Sequence, residues 1–451
     1  MLGFLGCRGN GSGDRAVADA APSASASPAP KEARADAGDA DASAKACPGP
    51  DAAKVARFTC DRTRIDADVP PLVDPKKTLA PFYDKVTRLA RGLRTDHVRI
   101  AMYGDSNLTA DATTGRLRRQ LQARFGDGGH GYVALARPWA WYSHNDVHHD
   151  GKWKMPALKQ IATSTHRIDD AHYGFANMAS ECGIPGCAVW VSTDPQKGAP
   201  IGWTASRLEL YYLRRPDGGR FEIELDGSVV KTIEAKASTF EAAFERFDVP
   251  DAHHELKVKT LGHGPVRLYG VALERSSPSI TVDSLGTGSL NLEQLSYPKS
   301  DTRRAQLERR AYDLVIIHLG TNVFGTDKEN KQNAKVFIDE LRAALPGLPI
   351  MFMSPPDMVE EGQSHSDPRI KTLTRVFREI AAENDAAFWD YRAAMGGKDA
   401  ILDFMKKGLA AHDKVHLSKL GDELMADRIL CAMWDGLADH LEADANAGCA
   451  E

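Results

Sequence analysis

The sequence lacks any uninterrupted apolar run of the ~18 to 20 residues that a bilayer-spanning helix needs, so no segment of it reads as a membrane span. It also lacks a basic excess. Lys and Arg number 57 against 62 Asp and Glu, a net charge of −5, which leaves no positive field to favour nucleic acid. No internal repeat is evident. Cysteine is scarce, 7 in 451 residues. With Cys7 set aside, six remain that fall into sequence-local pairs: Cys47 with Cys60, Cys182 with Cys187, and Cys431 with Cys449. An even set suits disulfides in an oxidising, extracytoplasmic space.

What is present is enough for two folded cores, because the chain is 42% apolar and single cores stop growing near ~250 to 300 residues. Residues 1–50 are largely Ala, Asp, Ser, Pro and Gly, a mixture that cannot offset its ordering entropy, and are expected to form a disordered tether. Within it, Leu2-Gly3-Phe4-Leu5-Gly6-Cys7 resembles the end of a bacterial lipoprotein signal, with Cys7 as the residue that would carry the lipid and hold the protein to a membrane. The apolar part is short for a signal peptide, so this reading requires a start further upstream.

Two patterns divide the rest. Val98 to Tyr103 is a short apolar run stopping at Gly104, followed by a helix over 114–125 with Leu117, Leu121 and Phe125 on one face. The same alternation returns with strands at 314–319, 350–353 and 387–389, helical segments such as 336–345, and a final helix at about 418–437 that is expected to turn Leu420, Leu424 and Ile429 inward. Strands apolar on both faces imply a parallel sheet covered by helices. Between these halves, 166–275 is rich in period-two segments (207–212, 221–225, 229–233, 255–260 and 266–273), with Asp226-Gly227 as a hairpin turn. That part predicts an inserted antiparallel β-sandwich.

The chemistry-bearing residues cluster at strand ends. In Tyr103-Gly104-Asp105-Ser106-Asn107 a serine follows the first strand, where open parallel sheets place their sites. Its own backbone N–H is free to stabilise an oxyanion. Alone, Gly-Asp-Ser is an ordinary turn. Asp413-Lys414-Val415-His416 adds an aspartate three residues before a histidine, a spacing that lets the carboxylate reach Nδ1 while Nε2 takes the serine proton. Gly320-Thr321-Asn322 ends another strand and supplies an amide donor. Gly286-Thr287-Gly288 ends a further one, where a glycine lets backbone N–H approach an oxyanion.

These four blocks, in this order, resemble the SGNH (GDSL) hydrolases, which carry a Gly-Asp-Ser, a glycine, a Gly-x-Asn and an Asp-x-x-His block. The resemblance implies a flavodoxin-like three-layer α/β/α fold over 78–165 and 276–451, interrupted by the carbohydrate-binding-like β domain at 166–275. It implies Ser106 as nucleophile, Asp413 and His416 completing a triad, and Ser106, Gly288 and Asn322 as oxyanion donors, with Gly286 competing for the second block. Bacterial O-acetylpeptidoglycan esterases are similar in having a β insert at this place and in phrases such as Gly115-Arg116-Leu117-Arg118 and Gly128-Gly129-His130-Gly131. An esterase acting on an O-acetylated glycan, peptidoglycan first, follows from that likeness. The same likeness implies an enzyme that needs no cofactor or metal and is expected to be a monomer. The sequence departs from the family at Asn107, where Leu is usual, at Val323, where Asp is common, and at Asp422, where an aromatic is often seen. An acyltransferase using the same acyl-serine, a deacetylase for another glycan, and a non-catalytic glycan-binding lipoprotein are the competing readings.

Two histidine groups, His144-Asp146-His148-His149-Asp150 and His253-His254-Glu255, lack the paired spacing of a zinc site and are read as polar loops. Trp139, Trp141, Tyr142 and Trp153 form either a sugar-stacking platform or core.

Overall fold

A computed structural model describes residues 47–135, 142–151, 168, 170–193 and 200–449. The segment around Cys7, most of the expected tether, and Trp139, Trp141 and Trp153 lie outside the described residues. Helices α1 (Ala52–Val55) and α2 (Ala80–Ala90) precede strand β1 (Val98–Gly104) and helix α3 (Ala112–Phe125). The antiparallel strands follow as β2 (Gly129–Ala134), β3 (His148–Gly151), β4 (Ser180–Cys182), β5 (Ala188–Ser192), β6 (Ala205–Arg214), β7 (Arg220–Leu225), β8 (Ser228–Glu234), β9 (Glu241–Ala252), β10 (Glu255–Gly262) and β11 (Val266–Glu274). The chain then alternates through β12 (Ile280–Gly286), α4 (Ser300–Arg310), β13 (Leu314–His318), α5 (Asp327–Ala344), β14 (Ile350–Met353), α6 (Pro368–Glu383) and β15 (Ala387–Trp389). Helices α7 (Tyr391–Met395), α8 (Ala400–Lys406) and α9 (Lys419–Ala443) complete it.

Strands β12, β1, β13, β14 and β15 form one parallel sheet in that order. Alternate residues of β1 feed two cores. Ala101 and Tyr103 join Phe337 of α5 and Phe377 of α6 on one face. Ile100 and Met102 join Phe82 of α2, Leu117 of α3 and Trp434 of α9 on the other. Both faces are dry, which is why the strand sequences are continuously apolar. This is the three-layer SGNH arrangement with a β insert.

Two antiparallel sheets, β3-β5-β10-β7-β8 and β2-β11-β6-β9, sandwich a third core that includes Val189, Leu208, Ile223, Val258 and Leu268. The Asp226-Gly227 turn joins β7 to β8 with φ of 52° and 78°, the left-handed geometry such hairpins require. The sheets also draw on β2 and β3, which lie ahead of the period-two region. Strand β9 carried no clear alternation, because it is a charged edge strand, half exposed along its length.

Where the insert meets the parallel sheet, Glu274 of β11 accepts hydrogen bonds from Arg99 of β1 (3.1 and 3.0 Å) and Arg207 of β6 (2.6 Å), and pairs with Arg310. Arg310 also forks onto Asp283 of β12 at 2.6 and 2.9 Å. Burial of Glu274 favours its neutral form, yet Arg310 and Arg99 outweigh it and hold the carboxyl well below its ordinary range.

The cysteine pairing differs from the local scheme at two of three bonds. Cys182–Cys187 forms as expected, but Cys47 joins Cys449 and Cys60 joins Cys431. The reason is packing: the segment after Cys47 lies along α9, where Trp434 donates to the Lys54 carbonyl at 3.0 Å and Phe58 sits edge-on to Trp434 at 5.2 Å. Leu420 is a second correction. It is 51% exposed, because the first turn of α9 packs through Gly421, at which a Cβ would lie 2.0 Å from the Leu409 carbonyl oxygen. Leu424 and Ile429 are buried as expected. Among the described residues, no helix is long and apolar enough to cross a membrane.

Candidate active site

Ser106 opens a single 3-10 turn over Ser106–Leu108, directly beyond the C-terminal end of β1. The chain must fold back sharply there: a Cβ at Gly104 would lie 2.2 Å from Leu108 Cδ1, so only glycine fits. Buried Asp105 fixes the turn. One of its oxygens accepts from the Asn107 backbone and side-chain N–H groups at 3.1 and 3.0 Å, and the other accepts from Thr321 N–H at 3.3 Å. Asn107 Nδ2 also donates to Thr321 Oγ1 at 3.1 Å, so the residue standing where the family has leucine ties the serine turn to the asparagine block.

His416 reaches the serine from the loop before α9, with Nε2 2.8 Å from Ser106 Oγ and Nδ1 2.7 Å from Asp413 Oδ2. The other Asp413 oxygen accepts from the backbone N–H groups of Val415 (2.9 Å) and His416 (3.0 Å). Lys414, at φ 58°, takes the left-handed conformation that wraps this turn around the carboxylate, a local strain the hydrogen bonds offset. Burial alone would raise the Asp413 pKa, but the His416 N–H and imidazole and the Val415 N–H leave it below the ordinary carboxylate value. An anionic carboxylate fixes the imidazole tautomer with Nε2 facing the hydroxyl, an arrangement able to take and return a proton.

Ser106, Gly288, Asn322 and His416 line one cavity of about 720 Å³. Asn322 Nδ2 is buried there without a hydrogen-bond partner among the described residues. Gly288 faces this cavity, whereas Gly286 ends β12 with its Cα against the Leu108 backbone, where a Cβ would approach within 2.6 Å. The structure therefore brings all the expected site residues together and separates the two competing glycines. Residues 261–424 match the GDSL-like lipase/acylhydrolase family. The chain carries a GDSL-like acylhydrolase domain. On that domain it is a carboxylic ester hydrolase.

No curated protein sequence matches this hydrolase. Among solved structures, a peptidoglycan O-acetylesterase is similar at 22% identity and a TM-score of 0.68, covering 82% of this chain and 99% of that one. A family two carbohydrate esterase from Clostridium thermocellum is 13% identical over 58% of this chain and 95% of that one, at a TM-score of 0.28. An acetyl xylan esterase is 17% identical over 35% and 81%, at 0.27. The first likeness shows a shared fold, and the two lower scores carry no weight.

Other expectations resolve differently. His144 and His149 are buried rather than in a polar loop, and His254 ties the hairpin turn through Asp226 at 2.7 Å. Among the described residues, no group of three or more His, Cys, Asp or Glu is arranged to hold a metal. Tyr142 is core, packed edge-on to His149. Sequence reasoning missed Arg369 of α6, which donates to the Val323 carbonyl at 2.8 Å and lies 4.4 Å from the Phe324 ring. No local signal announces it, since only the fold brings α6 under the asparagine block.

Asp422 also lines the cavity, on the first turns of α9, with Thr113 Oγ1 donating at 3.3 Å. Burial pushes its carboxyl up to about 8. An unfolded aspartate ionises near ~4, so between there and about 8 the native state must retain a proton that the unfolded chain has lost. Native stability falls across that window as pH rises and levels off above it. Asp422→Asn removes this penalty. The variant is expected to be more stable than the parent by about 1–3 kcal/mol at pH 7.5, the gap closing toward pH 4. Thermal melts of both proteins across pH would show it, and a gap independent of pH would refute the assignment.

Proposed function

We propose that this hydrolase removes O-acetyl groups from a carbohydrate, O-acetylated peptidoglycan, through an acyl-serine intermediate. The observation that carries the proposal is the hydrogen-bonded chain Asp413–His416–Ser106, which opens on a cavity beside the unpartnered N–H of Asn322. The shared fold with a peptidoglycan O-acetylesterase supports the choice of glycan.

In this reading His416 Nε2 takes the Ser106 proton as Oγ bonds to the acetyl carbonyl carbon. The carbonyl oxygen becomes an oxyanion held by Asn322 Nδ2 and by the backbone N–H groups of Ser106 and Gly288. Collapse breaks the bond to the sugar oxygen, which leaves with the proton from Nε2. Water then adds to the acetyl-serine with His416 again as base, releasing acetate and restoring the hydroxyl. Asp413 stays ionised throughout and stabilises the imidazolium. The disulfides fit an extracytoplasmic location, where such a glycan is met.

Acetate release from O-acetylated peptidoglycan and from acetylated xylan, each with wild type and Ser106→Ala, tests the proposal. Serine-dependent release is expected from peptidoglycan. Release from xylan alone would reassign the glycan, and release from neither would remove the deacetylase reading.

A further inference from the structure

A second groove, of about 770 Å³, lies beside the catalytic cavity, between the loop at 291–293 and the start of α5. Phe324 lines both spaces and so stands at their border. Its ring is 66% exposed, unusual for a phenylalanine two residues from Asn322. Arg369 holds it in place, with its guanidinium 4.4 Å from the ring centre and its N–H on the neighbouring Val323 carbonyl. Asn291, Asn330, Gln332, Asn333 and Lys328 bring hydrogen-bonding groups to the lining, beside the apolar Leu292 and Val323. Glu329 is already committed to the capping box of α5 through Thr326.

We infer that this groove holds the sugar units next to the acetylated one, as a subsite for a glycan strand carrying hydroxyl and acetamido groups, with Phe324 as the stacking platform. The inference rests on the glycan-deacetylase reading above and extends it. Sugar rings present an apolar C–H face suited to an exposed aromatic, and a rim of hydroxyls suited to amides. A groove of this size takes a ligand of several rings. A lipid or aryl acyl tail would leave the amides and Lys328 without partners, whereas sugar hydroxyl and acetamido groups would pair with them. Ser106 and Asn322 line the catalytic cavity and not this groove, so it would hold the strand rather than the acetyl group.

The test uses two readouts on the whole protein. Ser106→Ala protein is titrated with the tetramer of β-1,4-linked N-acetylglucosamine, with and without Phe324→Ala, and the dissociation constants are compared by calorimetry. Loss of the ring is expected to weaken binding about tenfold, and Phe324→Trp to restore it. In the active enzyme, Phe324→Ala is expected to lower the ratio of kcat/KM on O-acetylated peptidoglycan to that on p-nitrophenyl acetate by about tenfold. Tetramer affinity that ignores both substitutions, or an equal loss on polymer and small ester, would overturn the subsite. Phe324-dependent tetramer binding in a protein that deacetylates no glycan would instead overturn the proposed function and leave the groove standing.

Discussion

Ser106→Ala is expected to lower kcat on p-nitrophenyl acetate by about 10⁴- to 10⁶-fold, whereas Asn322→Ala should lose only about 10²- to 10³-fold. The difference follows from what each atom does. Ser106 Oγ, 2.8 Å from His416 Nε2, is the atom proposed to form the covalent bond, and it is the hydroxyl that the imidazole holds. Asn322 Nδ2 is one of three proposed oxyanion donors, so its removal leaves two backbone N–H groups in place. The Asn322 donor is unpartnered in the resting state, so its loss breaks no existing hydrogen bond of that N–H and should leave stability nearly unchanged. Initial rates, with circular dichroism to confirm folding, separate the two variants. Equal and modest losses would dismiss the site.

The second large effect concerns the termini. Cys47–Cys449 and Cys60–Cys431 close loops of 402 and 371 residues, among the longest cross-links the chain could make. In the chain-entropy account the first such bond stabilises by roughly 5–6 kcal/mol, and this is an upper bound. With one in place, the other closes only a small ring through 47–60 and 431–449, worth roughly 3–4 kcal/mol by the same relation. The bonds are therefore predicted to be non-additive: Cys47→Ser with Cys449→Ser costs the smaller amount, and loss of both bonds costs more than twice that single loss would suggest if the two were independent and equal. Denaturant midpoints of wild type, the Cys47→Ser/Cys449→Ser variant and a variant that adds Cys60→Ser and Cys431→Ser, all keeping Cys182–Cys187, measure this. Coincident midpoints would show that the terminal clamp contributes nothing.

The sequence made the parallel sheet legible because strands dry on both faces read as apolar blocks, and the four chemistry-bearing blocks sit at their ends. It made most of the sandwich legible through period-two alternation and the Asp226-Gly227 turn. The disulfide partners were not legible, since proximity in sequence says nothing about a segment that crosses to α9. Strand β9 escaped because an exposed edge needs no alternation, and Leu420 was misplaced because a helix end can extend beyond the core it serves. Arg369, the Glu274 network and the aspect of Phe324 depend on elements far apart in the chain, and no spacing rule connects them.

Strand β1, which delivers Ser106, lies between β12 and β13 in the sheet, so Val98 waits for Ile280 and Ile100 for Leu314. Pairings across about 180 residues are slow to form and costly to close. The β2–β11 pairing, Ala134 against Gly270, changes that. Once it exists, the free path from the end of β1 to the start of β12 shrinks to about 30 residues, 104–129 and 274–280, which lowers the closure cost by about 1.5 kcal/mol. Formed first, the insert would thus let the strand bearing the nucleophile meet β12 as a nearly local contact.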